Sequence, residues 1–398
     1  MNSHELLNHI TLIIPTFNRT NHLTRLLKYY ALKKTSIRFL ILDSSNKLAK
    51  SKNEEATLVL KSQIRYVHFP TATPVATKLF EGLKLADTAY CTFCADDDLV
   101  FINGLIAALS FLQAHPDYVC VDGIYLNFHH IENNVHLNIE YASKGIHAND
   151  PGARIFNLYQ KYESLFYGVF RTIDAQQIFS SVSKHTSLHY QELFQASAAL
   201  LIGKSHRLPQ FYAARQNCQA ADTQRDKWQT YYWFAENPQE FLQHYLQYRR
   251  ELWLFYQKFV AEKSYHQNDF FRVIDIAHAM YFGLGCPPDY FISVLQKQWP
   301  NDLLQKFNPL TDDVCSELKG YFRIWLENFI DQSIIYLPKL LLSFYSFRKM
   351  HQLNKKIRRQ SKNQWNCIPA RDFRWLVSVD RFHQAYQELC FYLDQGDH

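Results

Sequence analysis

Residues 91–105 read "CTFCADDDLVFINGL". A short apolar run of strand type ends in three consecutive aspartates, Asp96, Asp97 and Asp98, and a helical pattern begins within a few residues. Strand, acidic turn and helix in that order are one half of a βαβ unit. Carboxylates this close repel one another, so open water or a cation must make the turn tolerable.

Working outward, the first 125 residues alternate regularly. "ITLIIP" (10–15), "IRFLILD" (37–43), "IRYVHF" (64–69), "YCTFC" (90–94) and "YVCVDG" (118–123) read as strands. "NHLTRLLKYYAL" (21–32), "NEEATLVLKS" (53–62), "TKLFEGLKLA" (77–86) and "NGLIAALSFLQAHP" (103–116), the last closed by Pro116, read as helices. This alternation predicts an α/β fold: a mainly parallel, mixed sheet covered by helices on both faces. Ligands of such sheets bind beyond the carboxyl ends of the strands. Three features fall on that edge: "PTFNR" (15–19), Asp43 and the aspartates.

Residues 126–160 mix His, Asn and Gly and read as a long irregular excursion. "YGVFR" (167–171) reads as a short strand, followed by helices around 172–183 and 188–203. From about 238 the chain turns helical and aromatic-rich. The expected division is residues 1–235 and a helical C-terminal domain, 236–398, since 398 residues exceed what one core usually serves.

Hydrophobic content of 47% with 20% charged residues argues against disorder. The net charge of +6 is spread along the chain; it suits an anionic ligand or lipid surface, and no nucleic-acid partner is expected. Eight cysteines are scattered. Cys91 and Cys94 form a C-x-x-C with no second pair to complete a zinc site, and read as small apolar strand residues. "MNSHELLNHI" lacks a basic region before an apolar core, so it does not read as a signal peptide, and no uncharged apolar run reaches the ~18–20 residues of a bilayer span. A cytoplasmic place is the expectation.

The first loop carries neither G-x-G-x-x-G nor a P-loop, which argues against a dinucleotide dehydrogenase and an NTPase. Instead "TLIIPTFNR", "FLILDSS", "KLFEGLKLADTAYCTF" and "DDD", in this order over roughly 10–125, resemble the GT-A core of family 2 glycosyltransferases. A weaker continuation, "YGVFR…YQELFQASAALLIGKSHRLPQFYAARQ" (167–216), is similar to a bacterial branch of that family. The resemblance implies a hexosyltransferase-type enzyme that moves a sugar from a nucleotide-sugar donor, UDP-linked by preference, to an acceptor hydroxyl with inversion. It implies that Pro15, Thr16, Asn18, Arg19, Asp43 and Ser44, with Asp96 and Asp97, hold the donor, and that Asp96 and Asp98 bind Mn²⁺ or Mg²⁺ as the family's D-x-D site. Glu192, near a helix start after "YGVFR", is the implied general base; Asp222 and Asp226 are the next acids beyond it.

Each piece has a plainer reading: solvated loop acids, a turn-forming Asp43, an exposed Glu192. Lys204, Arg207 and Arg215 are candidates to assist a diphosphate or members of a solvated basic face. His129 and His130 are candidates to lie near the metal, or surface histidines. "QRDKW" (224–228) bears only a chance likeness to the Q-x-x-R-W of processive synthases.

Two other functions stay open. "CTFCADDDLVF" also matches the strand and D-x-D-x-[TV]-[LV] signature of haloacid-dehalogenase-like phosphatases. There, however, the first aspartate usually opens the domain, whereas three strand–helix units precede Asp96, and the only later acid pair, Asp312-Asp313, lies in a helical stretch. The third reading is a catalytically silent sugar-nucleotide or protein-binding module. Residues 333–362 are apolar and then carry seven Lys or Arg between Arg348 and Lys362. They read either as a core helix running into a solvated basic one, or as a peripheral contact with an anionic membrane, where lipid-linked acceptors are found. A glycan, lipid-linked or protein acceptor all remain open.

Overall fold

The structure is a computed structural model. It describes residues 5–60, 62–131, 134–140, 145–160, 162–185, 187–216, 237–261, 263–283, 364–368 and 379–396. The chain divides into two compact units. The first comprises Met1–His147, Ser164–Gln219 and Asn366–His398; the second comprises Ala148–Glu163 and Ala220–Trp365.

In the first unit, β1 (Ile10–Thr16) is central because its side chains are apolar on both faces: Ile10, Leu12, Ile13 and Ile14 are all fully buried. Full burial of such a side chain contributes about 1.5–3 kcal/mol. β1 pairs in parallel with β2 (Arg38–Asp43) and β4 (Tyr90–Phe93), and β2 pairs in parallel with β3 (Ile64–His68). Helices α1 (Thr20–Leu32), α2 (Lys47–Ala56), α3 (Val75–Leu83) and α4 (Ile102–Ala114) connect them. The sheet continues beyond β4 with antiparallel β9 (Val169–Arg171), then β6 (Tyr118–Ile131) and its hairpin partner β7 (Asn134–Glu140), so that it is mixed, as expected.

Three segments depart from expectation. The excursion at 126–160 is ordered: β6 runs on to Ile131, β7 returns antiparallel to it, β8 (Gly145–Ile146) follows, and α5 is Pro151–Gln160. Cross-strand pairing on both sides of β6 overrides the weak strand propensity of its His and Asn residues. Helix α2 starts at Lys47 rather than near 53, because Asn46 caps it: its Oδ1 accepts from Ala49 N at 3.0 Å. A strand not foreseen, β10 (Lys204–Gln216), pairs in parallel with β6. Pro209 hides it in the sequence, and it falls where the β10–β6 register is interrupted between Arg207 and Phe211, the kind of place in which a sheet tolerates proline.

β10 is tied to β6 by a buried pair, Arg207 Nε to Asp122 Oδ1 at 2.9 Å and Nη2 to Oδ2 at 2.7 Å. It also pairs antiparallel with β5 (Leu99–Val100), directly after the aspartates. Gly104 lets α4 lie close on β10: a Cβ there would stand 2.9 Å from Tyr212 Cα. α6 (Thr172–Val182) and α7 (Leu188–Ile202) precede β10, and Gly203 joins α7 to it.

The second unit is helical. α5, α8 (Pro238–Phe259) and α9 (Gln267–Gly283) surround an aromatic core in which Tyr159 and Tyr248 share a 3.0 Å hydroxyl contact. Arg249 donates to Asp275 at 2.5 Å within it.

The last helix, α10 (Val379–Leu393), belongs to the first unit and lies on α1. Tyr392 meets the Tyr29 ring edge-on at 5.8 Å, and Lys33 sits 4.9 Å above the Phe391 ring. No helix among the described residues is long and apolar enough to cross a membrane.

Candidate functional site

Parallel register sets the site. Thr16 at the end of β1 pairs with Asp43 at the end of β2, and Pro15 with Leu42. Cys94 N donates to Ile13 O, which brings the acidic turn to the same edge. The first loop then doubles back. Asn18 takes a left-handed φ of 55°, its N–H donates to Ser45 Oγ at 2.8 Å, and its Oδ1 accepts from Asn46 N at 3.0 Å. Asparagine tolerates that backbone better than most residues, a signal legible in "FNR".

Asp43 is fully buried. Its Oδ1 accepts from Ser45 N at 2.7 Å, and its Oδ2 from Asn53 Nδ2 at 2.8 Å and from the Tyr66 hydroxyl. Burial pushes its pKa up, but the hydrogen bonds from Ser45, Tyr66 and Asn53 outweigh it and hold the carboxyl below its ordinary value.

The aspartates are buried rather than solvated. Asp96 accepts from Thr16 Oγ1 at 2.7 Å and faces Arg19 Nη1 at 3.1 Å; Arg19 also ion-pairs with Asp97. The cation beside two of the three acids is therefore a guanidinium from the first loop. Burial lifts the Asp96 pKa to about 6, Asp97 adding to the lift while Arg19, Thr16 and Lys78 oppose it. Asp98 accepts from the Tyr167 hydroxyl at 2.5 Å and from Gln216 N at 2.7 Å. Burial and Asp97 raise its pKa well above the carboxylate range, against the opposing pull of Arg215.

Lys78 was not singled out by the sequence reading, yet it is the one buried lysine among the described residues. It reaches from α3 to donate to Thr16 O at 3.1 Å and Ser44 Oγ at 2.9 Å, joining the ends of β1 and β2. Burial lowers its pKa, while Asp43 and Asp96 pull it back up. A signal was there: Lys78 falls among the buried positions Ala76, Leu79, Gly82 and Leu83 of an amphipathic helix, where a lysine is out of place.

The edge thus brings together Pro15, Thr16, Asn18, Arg19, Asp43, Ser44, Asp96, Asp97 and Asp98. Glu192 lies near the start of α7, just past its first turn, half-buried and outside the hydrogen-bonded network just described. Lys204 pairs with Asp117 at 2.8 Å, and Arg207 is buried against Asp122, so neither belongs to a solvated basic face or to the acidic turn. Arg215 lies near Asp98 and 5.5 Å over the Tyr167 ring. Cys91 and Cys94 are buried free thiols, in keeping with their reading as small apolar residues. Asp222, Asp226, "QRDKW", Asp312-Asp313 and 333–362 lie outside the described residues, as do the side chains of His129 and His130.

Among the described residues no three His, Cys, Asp or Glu side chains converge as a self-sufficient metal centre. A phosphatase needs its first aspartate open to attack; Asp96 is 2% exposed and bonded to Thr16 and Arg19.

The family model described as glycosyl transferase family 2 matches residues 11–174. No curated protein sequence matches the chain. Among solved structures, S. aureus TarS 1-349 in complex with UDP is similar at a TM-score of 0.45 and 13% identity, covering 69% of this chain and 72% of that one. The complex of TarS 1-349 with UDP-GlcNAc gives 0.43 and 12%, covering 69% and 74%. The mannosyltransferase PcManGT from Pyrobaculum calidifontis, in complex with GDP-Man and Mn²⁺, gives 0.43 and 11%, covering 76% and 80%. The segment that matches the glycosyl transferase family 2 model, residues 11–174, holds β1 to β4, the first loop, Asp43 and the acidic turn, and marks the chain as a glycosyltransferase.

Proposed function

We propose that this edge binds a nucleotide sugar, UDP-linked by preference, and that the enzyme transfers the sugar with inversion to an acceptor hydroxyl. The observation that carries the reading is the meeting of Asp43, the first loop and Asp96–Asp98 along one sheet edge. Asp43, Ser44 and the backbone of Pro15 to Asn18 take the nucleoside, while Arg19, Asp96 and Asp97 face the diphosphate.

A divalent cation fits the donor set. Asp96 and Asp98 offer hard oxygens, and each oxygen accepts one described hydrogen bond, so a second lone pair remains on each. Their raised pKa values record a charge that a cation would relieve. Mg²⁺ and Mn²⁺ sites of this kind need only one or two carboxylates, phosphate oxygens completing the shell. Asp96 and Asp98 would hold the ion, which when bound supplies neutralisation of the departing diphosphate.

In the transfer, the acceptor oxygen forms its bond to the anomeric carbon as the bond to the diphosphate oxygen breaks. The nucleoside diphosphate leaves with that electron pair. The acceptor proton passes to the Glu192 carboxylate. Glu192 is read in this role from its place near the start of α7, the helix that leads into β10.

The transferase chemistry is assigned to 1–235 and the acceptor side to the helical residues of 236–398, α10 excepted. A cytoplasmic place with contact to an anionic membrane through 333–362 belongs to the same proposal.

Calorimetry with UDP and GDP, in Mn²⁺ and in EDTA, tests the donor site. Wild type is expected to bind in Mn²⁺ and to lose affinity in EDTA, and Asp98→Asn to lose the difference. Equal affinities across all four conditions would remove the metal bridge.

A further inference from the structure

The acidic turn is held from outside the segment that the family model matches. The Tyr392 hydroxyl, on α10, points at two backbone carbonyls of the turn: Asp97 O at 3.1 Å and Asp98 O at 3.3 Å. Tyr392 is fully buried. Its ring lies under the Arg25 guanidinium of α1, 4.5 Å from the ring centroid. Arg25 Nη2 in turn donates to Asp97 O at 3.2 Å and to Gln216 Oε1 at 2.6 Å. Gln216 N closes the ring of contacts on Asp98 Oδ1. Three elements distant in sequence thus converge on the turn: α1 and α10 on its backbone carbonyls, and the end of β10 on the Asp98 carboxylate.

The contacts from Tyr392 and Arg25 fall on main-chain carbonyls and leave the carboxylates of Asp96 and Asp97 to face the first loop. Two carbonyls bound to one hydroxyl fix the turn's peptide planes, and so the directions in which three consecutive side chains leave it. A cation over the Tyr392 ring is drawn to the negative face of that ring and keeps the hydroxyl where it is. Repelling carboxylates would otherwise splay apart.

We infer that Tyr392 and Arg25 are positioning residues for the donor site: a C-terminal clamp that sets the geometry of Asp96–Asp98. The role rests on the reading of those aspartates as diphosphate and metal groups. It implies that donor affinity depends on α10, although the family segment ends at residue 174. The clamp acts on the diphosphate end alone, because Asp43 is fixed by Ser45, Asn53 and Tyr66.

Tyr392→Phe keeps the ring and the Arg25 stacking and removes only the hydroxyl; Arg25→Lys keeps the charge and loses the planar fork. Both are compared with wild type in the full chain, with thermal unfolding followed alongside. In the ligand-free protein, amide hydrogen exchange over residues 94–100 is expected to accelerate in both variants, with exchange in β1 and β2 unchanged. In Mn²⁺, UDP or GDP binding is expected to weaken about 2- to 10-fold in Tyr392→Phe, the worth of one hydrogen bond, while UMP or GMP keeps more of its affinity. A structural role spread through the unit would weaken monophosphate and diphosphate alike, and that outcome overturns the clamp. Unchanged exchange over 94–100 overturns it as well. Wild type that binds neither UDP nor GDP would overturn the donor reading instead, and the exchange data then decide the clamp by themselves.

Discussion

Asp43 commits both carboxylate oxygens to its own neighbours, so a nucleoside reaching it must share oxygens already in use. Removing it leaves Asn53, Tyr66 and the Ser45 amide without their acceptor. Asp43→Ala is expected to weaken UDP and UMP by a similar factor, about 1–3 kcal/mol for polar groups left unpaired. Calorimetry with the two nucleotides checks this, and unchanged UMP binding would take Asp43 out of the site. Glu192 is expected to behave in the opposite way. A base that acts on the acceptor touches nothing on the donor, so Glu192→Gln should keep donor Kd while kcat for transfer falls by ~10²–10⁴. Near-normal kcat would reject the assignment, and collapse of donor affinity would make Glu192 a structural residue. Asp43 was legible in the sequence because it ends a strand on the edge of the first loop, whereas Glu192 is read only from its place near a helix start. Lys78, Tyr167, Gln216 and Tyr392 were not legible. The first had only the signal of a lysine on the buried face of its helix, and the others reach the acidic turn across long stretches of chain.

At the scale of elements, α4, β6, β8 and β10 meet through aromatic rings rather than through aliphatic packing alone. Phe111 is stacked between His115 at 4.0 Å and His206 at 4.2 Å, with Tyr118 edge-on and His147 beside His206 at 5.4 Å. Burial, with the nearby His147 and His115 adding to it, lowers the His206 pKa to about 4. Its ordinary value is 6.5, so between pH 6.5 and 4 the unfolded chain binds this proton and the folded one does not. Stability contributed by neutral His206 is therefore complete above pH 6.5 and lost as pH falls toward 4. His206→Phe keeps the stack and removes the proton site. Unfolding titrated by denaturant at several pH values should show a shallower loss for the variant; identical slopes would exclude His206 as a source of acid sensitivity. Elements with a strong period were readable: β1 to β4, α1, α3, α4 and α7 fall within a few residues of expectation. β10 was unreadable because Pro209 interrupts it, and β7 because its residues signal neither strand nor turn without the partner strand β6.

In the whole molecule, the unit that carries the acids is assembled from three separate lengths of chain, and a helical unit of its own fills most of the gap before the last of them. Its final helix lies against α1 through Tyr29, Phe391 and Tyr392. A chain stopped before Val379 is expected to bind UDP in Mn²⁺ at least about tenfold more weakly, since the hydroxyl contacts and the Arg25 stacking go together. Equal affinity in the shortened chain would show that α10 matters only for stability. Time enters through the same helix. Asp98 is made 294 residues before the tyrosine that braces its carbonyl. At roughly 5–20 residues added per second, about 15–60 s of synthesis separate the two. The nascent chain carries its whole acidic turn long before that turn has this support, so the turn is braced only once α10 has been made.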